Sequence, residues 1–192
     1  MTSPPDPLSS LTPEQRAAFE LLLRRQRAKD PGTAAIPRRG DPSAHPLSFA
    51  QQRLWFLDQL APGDPAYNIH GAVRLRGALD VAALARALSA IAARHEPLRA
   101  RFPAAEGRPV QVIDPSGPVP LPVIDLDALP AGRREPEVLR LAVEAARQPF
   151  DLARGPLLRA SLLRAGPVDQ VLLLAVHHIA ADGWSIGVLL RE

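Results

Sequence analysis

The chain has 192 residues, of which 46% are hydrophobic, 22% charged and 4% aromatic, and it contains no cysteine. That length suits one ordinary domain or slightly more with a real core, and the lack of cysteine excludes disulfide frameworks, thiolate nucleophiles, iron–sulfur clusters and Cys-ligated zinc. Lys plus Arg is 23 and Asp plus Glu is 20, a formal charge of +3, and this weak basic excess is no nucleic-acid footprint, which needs positive residues clustered on a stripe or a helix.

Eight of the 22 prolines fall in the first 46 residues and none follows Pro167, which marks the N-terminal stretch as an appendage. Thr12-Pro13-Glu14-Gln15 reads as an N-cap, a proline at N1 and a Gln at N3, opening a helix to about Arg27. Ala18, Phe19, Leu21 and Leu22 form one apolar stripe on it, fit either to dock on a partner or to lie on the domain's own surface. Residues 29 to 45 combine Pro, Gly, Ser and Arg without periodicity and read as a linker.

From Leu47 the pattern changes. Ser48 can cap a helix through about Leu60, and APGDPA then makes a turn-rich break. Ala72 to Gly77 alternates weakly as a strand, and VAALARALSAIAARH follows as a helix with Leu84, Leu88, Ile91 and Ala92 inward. Leu98 to Phe102 and Val110 to Ile113 read as short strands around the turn AAEGRP, whereas GPVPLPVIDL is too proline-rich for a central strand. Glu135 to Gln148 reads as an amphipathic helix and Leu157 to Leu163 as a strand. Val168 to Val176 reads as a strand apolar on both faces, suited to the middle of a sheet. No fixed-period repeat is visible. The class implied is an α/β sandwich in which helices cover a mixed sheet. Its longest strongly apolar run, Val171 to Val176, is far short of the about 18 residues that span a bilayer. The N-terminus has neither a basic n-region nor an apolar h-region. A soluble, cytoplasmic protein with neither membrane nor nucleic-acid partners is therefore expected.

Chemistry is expected where the buried strand ends, at VHHIAADGWS (Val176 to Ser185). Two adjacent histidines on a strand point to opposite sides, so one can face a cavity while the other packs inside. Imidazole suits proton transfer to or from an amine or alcohol. The competing reading is a core histidine beside a surface one. Zinc is disfavoured because no third imidazole or thiolate stands at metal spacing.

HHIAADG (His177 to Gly183) resembles the HHxxxDG signature of condensation domains of nonribosomal peptide synthetases, which belong to the chloramphenicol acetyltransferase-like acyltransferases. PLSFAQQRLWFLDQL (Pro46 to Leu60) resembles the family's opening motif, RHEPLRARF (Arg94 to Phe102) its RHExLRxxF motif, and PAYNIHGAVRLRGALD (Pro65 to Asp80) its first strand region. The motifs stand in the family's order. The resemblance implies a chloramphenicol acetyltransferase-like α/β two-layer sandwich over residues 46–192, the N-terminal part of a condensation domain, preceded by a helical appendage (1–28) and a linker (29–45).

By that resemblance His178 is the catalytic candidate, orienting the acceptor α-amine and taking its proton as it attacks the donor carbonyl. His177 is then structural. Asp182 resembles the aspartate whose salt bridge holds the motif loop, beside a simpler reading as a turn aspartate. Gly183 would let the backbone approach the substrate, and Arg99 resembles the arginine that buttresses the site. Arg94 reads as a helix C-terminal charge, and Trp184 either lines the channel or packs. No metal or directly bound cofactor is implied. The substrates would arrive on phosphopantetheine arms of carrier domains, the family's partners in secondary-metabolite and antibiotic biosynthesis.

Family domains have two similar lobes with a tunnel between them, and this sequence resembles the first lobe, cut within an apolar helix pattern. The second lobe would supply the other tunnel wall, a crossing strand and the arginine that pairs with the motif aspartate. A lone lobe is expected to expose its lobe-facing surface and to be poorly soluble, to dimerise, or to depend on another polypeptide. The readings in competition are an inactive fragment, an enzyme completed by a C-terminal partner chain, a non-catalytic docking module, and a small stand-alone acyltransferase. The opening and RHExLR-like motifs speak against the last. A heterocyclisation variant is disfavoured because His177 and His178 stand where that motif begins with aspartate. The donor's stereochemistry stays open, since DGWS resembles both D-donor and some L-donor forms.

Overall fold

The computed structural model describes residues 44–192. The helix expected from Thr12, and all of the linker before Ala44, lie outside the described residues. His45, at the end of the stretch read as linker, exchanges two backbone hydrogen bonds of 2.8 Å with Gln111.

Helix α1 (Phe49–Leu60) starts where Ser48 predicts. The Ser48 hydroxyl accepts from the Gln51 N–H and the Gln51 side chain accepts from the Ser48 N–H, so two otherwise orphaned donors are satisfied reciprocally. Leu54 and Trp55 turn inward, and the Trp55 Nε1–H donates to the Phe102 carbonyl at 3.1 Å. Phe49, Phe56 and Leu60, spaced to share one face, stay exposed. Asp64 then caps a short 3₁₀ turn, Pro65–Tyr67, that feeds strand β1 (Asn68–Arg76). This strand begins before the expected Ala72, because pairing with a long partner extends it through residues whose alternation is weak.

Helix α2 (Val81–Arg94) is capped by Asp80 and buries Leu88, Ile91 and Ala92, with Leu84 packed alongside. The expected strand from Leu98 begins instead within a 3₁₀ turn, Glu96–Arg99, with Pro97 in its first positions. Only β2 (Ala100–Arg101) is extended. A tight hairpin of β3 (Ala104–Ala105) and β4 (Arg108–Pro109) turns through Glu106 and Gly107, both at positive φ (51° and 76°). Strand β5 (Val112–Ile113) then pairs with β2. Strand β6 (Val123–Asp125), after Pro120 and Pro122, lies at a sheet edge as its prolines require. Helix α3 (Ala131–Arg147) starts four residues before the expected Glu135. Gly132 and Pro136 obscure that first turn in the sequence, yet Arg134 fastens it by donating to the Leu129, Ala165 and Asp127 carbonyls.

Strands β7 (Leu158–Gly166) and β8 (Asp169–His177) complete a four-stranded sheet of order β1-β8-β7-β6, antiparallel except for the β6–β7 pair. Helix α2 covers one face over Leu162, Leu172 and Leu174, while α3 covers the other over Leu163, Val171 and Leu173. The sandwich thus has helix on both faces, which is why β8 reads as a continuous apolar run. A third cluster, including Phe102, Phe150, Leu157 and Ile179, closes the end of the sheet where β8 stops. Gly155, at φ +64° in the loop before β7, runs close to the Ala100 carbonyl, 3.7 Å from where a Cβ would sit. The short helix α4 (Gly183–Leu189) follows β8.

Candidate active site

The site is the turn between β8 and α4, and the two histidines divide there because β8 ends at His177 and His178 enters the turn. His177 lies opposite Asn68 of β1 and continues the row of Val171, Leu173 and Ala175. It is only 4% exposed. Its ring meets Phe150 edge-on, with centroids 6.0 Å apart at 77°, and its Nδ1 accepts the Ile179 N–H at 3.1 Å. An imidazole that accepts at Nδ1 is neutral with its proton on Nε2. Burial, and then the neighbouring His178, lower its pKa from 6.5 to about 4.

His178 leaves the sheet and is exposed. Its backbone N–H donates to the Tyr67 carbonyl at 2.9 Å, which fixes the turn to the start of β1. Its Nδ1 lies 2.9 Å from the Ala181 carbonyl. A carbonyl only accepts, so Nδ1 carries the proton and Nε2 keeps its lone pair in the neutral ring. With Ala181, Asp182 and Ser185 on one side, and Ser48, Gln51 and Leu54 of α1 on the other, His178 lines an open groove of about 360 Å³. A larger groove of about 570 Å³ over the outer face of α2 has Arg86 as its single ionisable lining residue. It lacks the acid–base groups that the histidine groove offers.

Asp182 is the N-cap of α4. Its Oδ1 accepts from the Ser185 N–H at 2.9 Å and from the Ser185 hydroxyl at 2.6 Å. These bonds, the hydroxyl first, hold its carboxyl below the ordinary carboxylate range. No ion pair to Asp182 occurs among the described residues. Gly183 opens α4, and a Cβ built on it would meet nothing within 4 Å. Trp184 is 81% exposed. It borders a neighbouring apolar cavity of about 230 Å³, which shares Ala180, Ala181 and Ser185 with the histidine groove.

Arg99 does not line the histidine groove. Its guanidinium donates to the Asp114 carbonyl and lies 3.8 Å from Glu96, while the Asp114 N–H donates back to the Arg99 carbonyl at 3.0 Å. Arg99 therefore braces the 3₁₀ turn against the end of β5. Arg94 pairs with Glu192 at 3.1 Å, a helix C-terminal charge as expected. The sequence reading did not single out Ser185, Tyr67, Gln51, Phe150 or Arg159. Ser185 stands three residues after Asp182, a capping-box spacing visible in the sequence. Tyr67 contributes only a backbone carbonyl, for which no sequence signal exists. Among the described residues no group of three or more His, Asp or Glu side chains could hold a metal ion, and no helix is long and apolar enough to cross a membrane.

With this geometry in hand, the chain can be compared with known proteins. Residues 43–192 match the family profile described as the condensation domain, and the chain belongs to that family. It is 49% identical over 186 residues to phosphinothricin tripeptide synthetase PhsC of Streptomyces viridochromogenes, covering 96% of this chain and 17% of that protein. It is 51% identical over 164 residues to chondramide synthase cmdD of Chondromyces crocatus, covering 84% of this chain and 4% of that protein. Among solved structures, the starter condensation domain of rhizomide synthetase RzmA superposes with a TM-score of 0.71 at 27% identity, over 78% of this chain and 36% of that one. The first condensation domain of the calcium-dependent antibiotic synthetase, in complex with a substrate analogue, gives 0.68 at 33% identity, over 77% and 35%. The fold is accordingly the N-terminal lobe of the chloramphenicol acetyltransferase-like condensation fold. The chain spans under a fifth of these curated relatives and about a third of the solved domains.

Proposed function

We propose that this chain carries the histidine half of an amide-forming site. It would join the acyl or peptidyl group of a donor thioester to the α-amine of an acceptor aminoacyl thioester, both borne on phosphopantetheine arms of carrier domains. The observation that carries this reading is the His178 ring. With Nδ1–H held by the Ala181 carbonyl, Nε2 is the nitrogen with a lone pair to offer the groove. In the reaction the amine nitrogen bonds to the donor carbonyl carbon and the carbon–sulfur bond breaks. The proton lost from nitrogen passes to Nε2 and then to the departing thiolate. An α-amine with a pKa of about 8 is partly neutral at pH 7, so Nε2 is needed chiefly to orient the amine and to collect its proton as the bond forms. His177 and Asp182 serve the site by fixing the turn and the helix on either side of His178, and Trp184 borders the adjoining cavity.

The test is product formation, read by mass spectrometry, with loaded donor and acceptor carriers and a synthetase containing this chain. His178→Ala is expected to lower the rate by about 10²- to 10⁴-fold while leaving carrier binding intact. A variant that condenses at the wild-type rate would sink the catalytic assignment. A second reading, a non-catalytic docking module, draws on the exposed Phe49, Phe56 and Leu60 face of α1. It predicts binding to a synthetase chain, with no condensation, whether or not His178 is present.

A further inference from the structure

His178 is aimed by a turn, and that turn hangs on the protonation state of a buried neighbour. The Ile179 N–H donates to His177 Nδ1 at 3.1 Å and the Ala180 N–H donates to the His177 carbonyl at 2.9 Å. Together with the Tyr67 contact, these bonds set the path of the chain through His178. The first of them exists only while Nδ1 bears no proton. Phe150, itself 8% exposed, covers the His177 ring. Its place is set in turn by Arg159 of β7, whose guanidinium carbon lies 3.8 Å from the Phe150 ring centroid.

Arg159 is not free to drift. It donates to the Pro149 carbonyl at 2.7 Å and to the Gln148 carbonyl. The Asn68 side chain donates to the Ala146 and Gln148 carbonyls at 2.9 Å. Two sheet residues, one on each strand flanking β8, thus clamp the carbonyls at the end of α3 and after it. This clamp sets where Phe150 enters the core.

We propose that Arg159 is a positioning residue for His178: by clamping residues 148 and 149 and stacking on Phe150, it keeps His177 in the neutral, Nδ1-accepting form that shapes the catalytic turn. This rests on the reading of His178 given above. Arg159 touches neither reactant in it and acts through two intermediaries.

The test combines a spectroscopic and a kinetic readout. In the chain labelled with ¹⁵N-histidine, long-range ¹H–¹⁵N correlation at pH 7 is expected to show His177 as a single Nε2–H tautomer. In Arg159→Ala that signal moves toward a tautomeric mixture. The kcat for amide formation by a synthetase carrying the change falls about tenfold, with KM for the loaded carriers unchanged. Arg159→Lys, which keeps a cation but loses the forked donor, falls between the two. A folded Arg159→Ala chain with an unaltered His177 tautomer overturns the proposal. Should that variant fail to fold, Phe150→Leu keeps apolar bulk and removes the ring, and an unaltered tautomer there overturns it equally. The tautomer readout needs no turnover. A wild-type protein that makes no amide while its His177 responds to Arg159 would therefore count against the functional reading and leave the Arg159 coupling standing.

Discussion

Adjacent identical side chains acquire opposite chemistry here because one peptide unit carries the chain out of the sheet. His177 is sealed beneath Phe150 and His178 stands at a groove. The buried member has a measurable signature. Its pKa is about 4 in the folded chain against 6.5 as the ordinary value, so the unfolded chain takes up a proton that the folded chain refuses. His177's contribution to stability is therefore complete above about pH 6.5, declines as pH falls, and is exhausted near pH 4. The carboxylates held low, among them Glu135, Asp169 and Asp182, titrate in the unfolded chain near 4.5 and 3.8, so their loss sets in only toward the acid end of that window. Urea midpoints measured between pH 7.5 and 5 should fall with pH in the wild type. They should be flatter in His177→Asn, whose side-chain oxygen replaces the Nδ1 acceptor. Equal slopes would mean that His177 is not buried neutral. The pair was visible in the sequence as a strand-end dipeptide, and the division expected from alternation is produced instead by the turn that starts at His178. Which histidine faces inward was set by the resemblance and not by the period, because the residues before the pair are apolar on both faces of the strand.

At the scale of elements, the groove exists because α1 is pinned against the end of the sheet. Leu54 and Trp55 pack on the cluster around Phe102 and Phe150, and the Trp55 indole donates to the Phe102 carbonyl. Trp55→Phe would keep much of the ring and remove the donor. It is expected to lower stability by about 1 kcal/mol, the net worth of a partly buried hydrogen bond. Amide formation should show a raised KM with kcat less affected, because one wall of the groove loosens while His178 stays put. Loss of kcat alone would instead place Trp55 in the chemistry. The helices were readable from Ser48 as the cap of α1 and from the Leu84–Leu88–Ile91 face of α2. The strands were harder. Asn68 to Gly71 gained extended structure only by pairing with β8, and Leu98-Arg99 lost it to the turn that Pro97 initiates. The first turn of α3 rests on Arg134 reaching three carbonyls, a contact between distant segments that no local pattern announces. The same holds for the site. The HHxxxDG residues were named from the sequence, whereas Tyr67, Phe150 and Arg159 come from separate segments and meet only in the fold.

At the scale of the molecule, the decisive fact is how little of the described residues encloses His178. Among the described residues the groove is walled by α1 on one side and by the turn and α4 on the other, and is otherwise open. The chain corresponds to 36% of the rhizomide starter domain it superposes on. Rate enhancement by orientation requires both reactants to be held within about 3–3.5 Å in an attack geometry, and an open groove leaves a tethered arm free to swing and the thioester exposed to water. Supplied alone with loaded carriers, the chain is therefore expected to form amide far more slowly than a synthetase containing it. Thioester hydrolysis should outpace condensation. Adding in trans the remainder of the condensation fold should raise the amide yield, with the His178→Ala chain unable to support that rise. If the chain alone matched the larger assembly, α1 and α4 by themselves would suffice to hold both arms. The site would then be that of a compact acyltransferase. If the remainder restored activity equally to His178→Ala, the proton would be handled elsewhere, and the chain's part in the synthetase would be to present a docking face such as Phe49, Phe56 and Leu60.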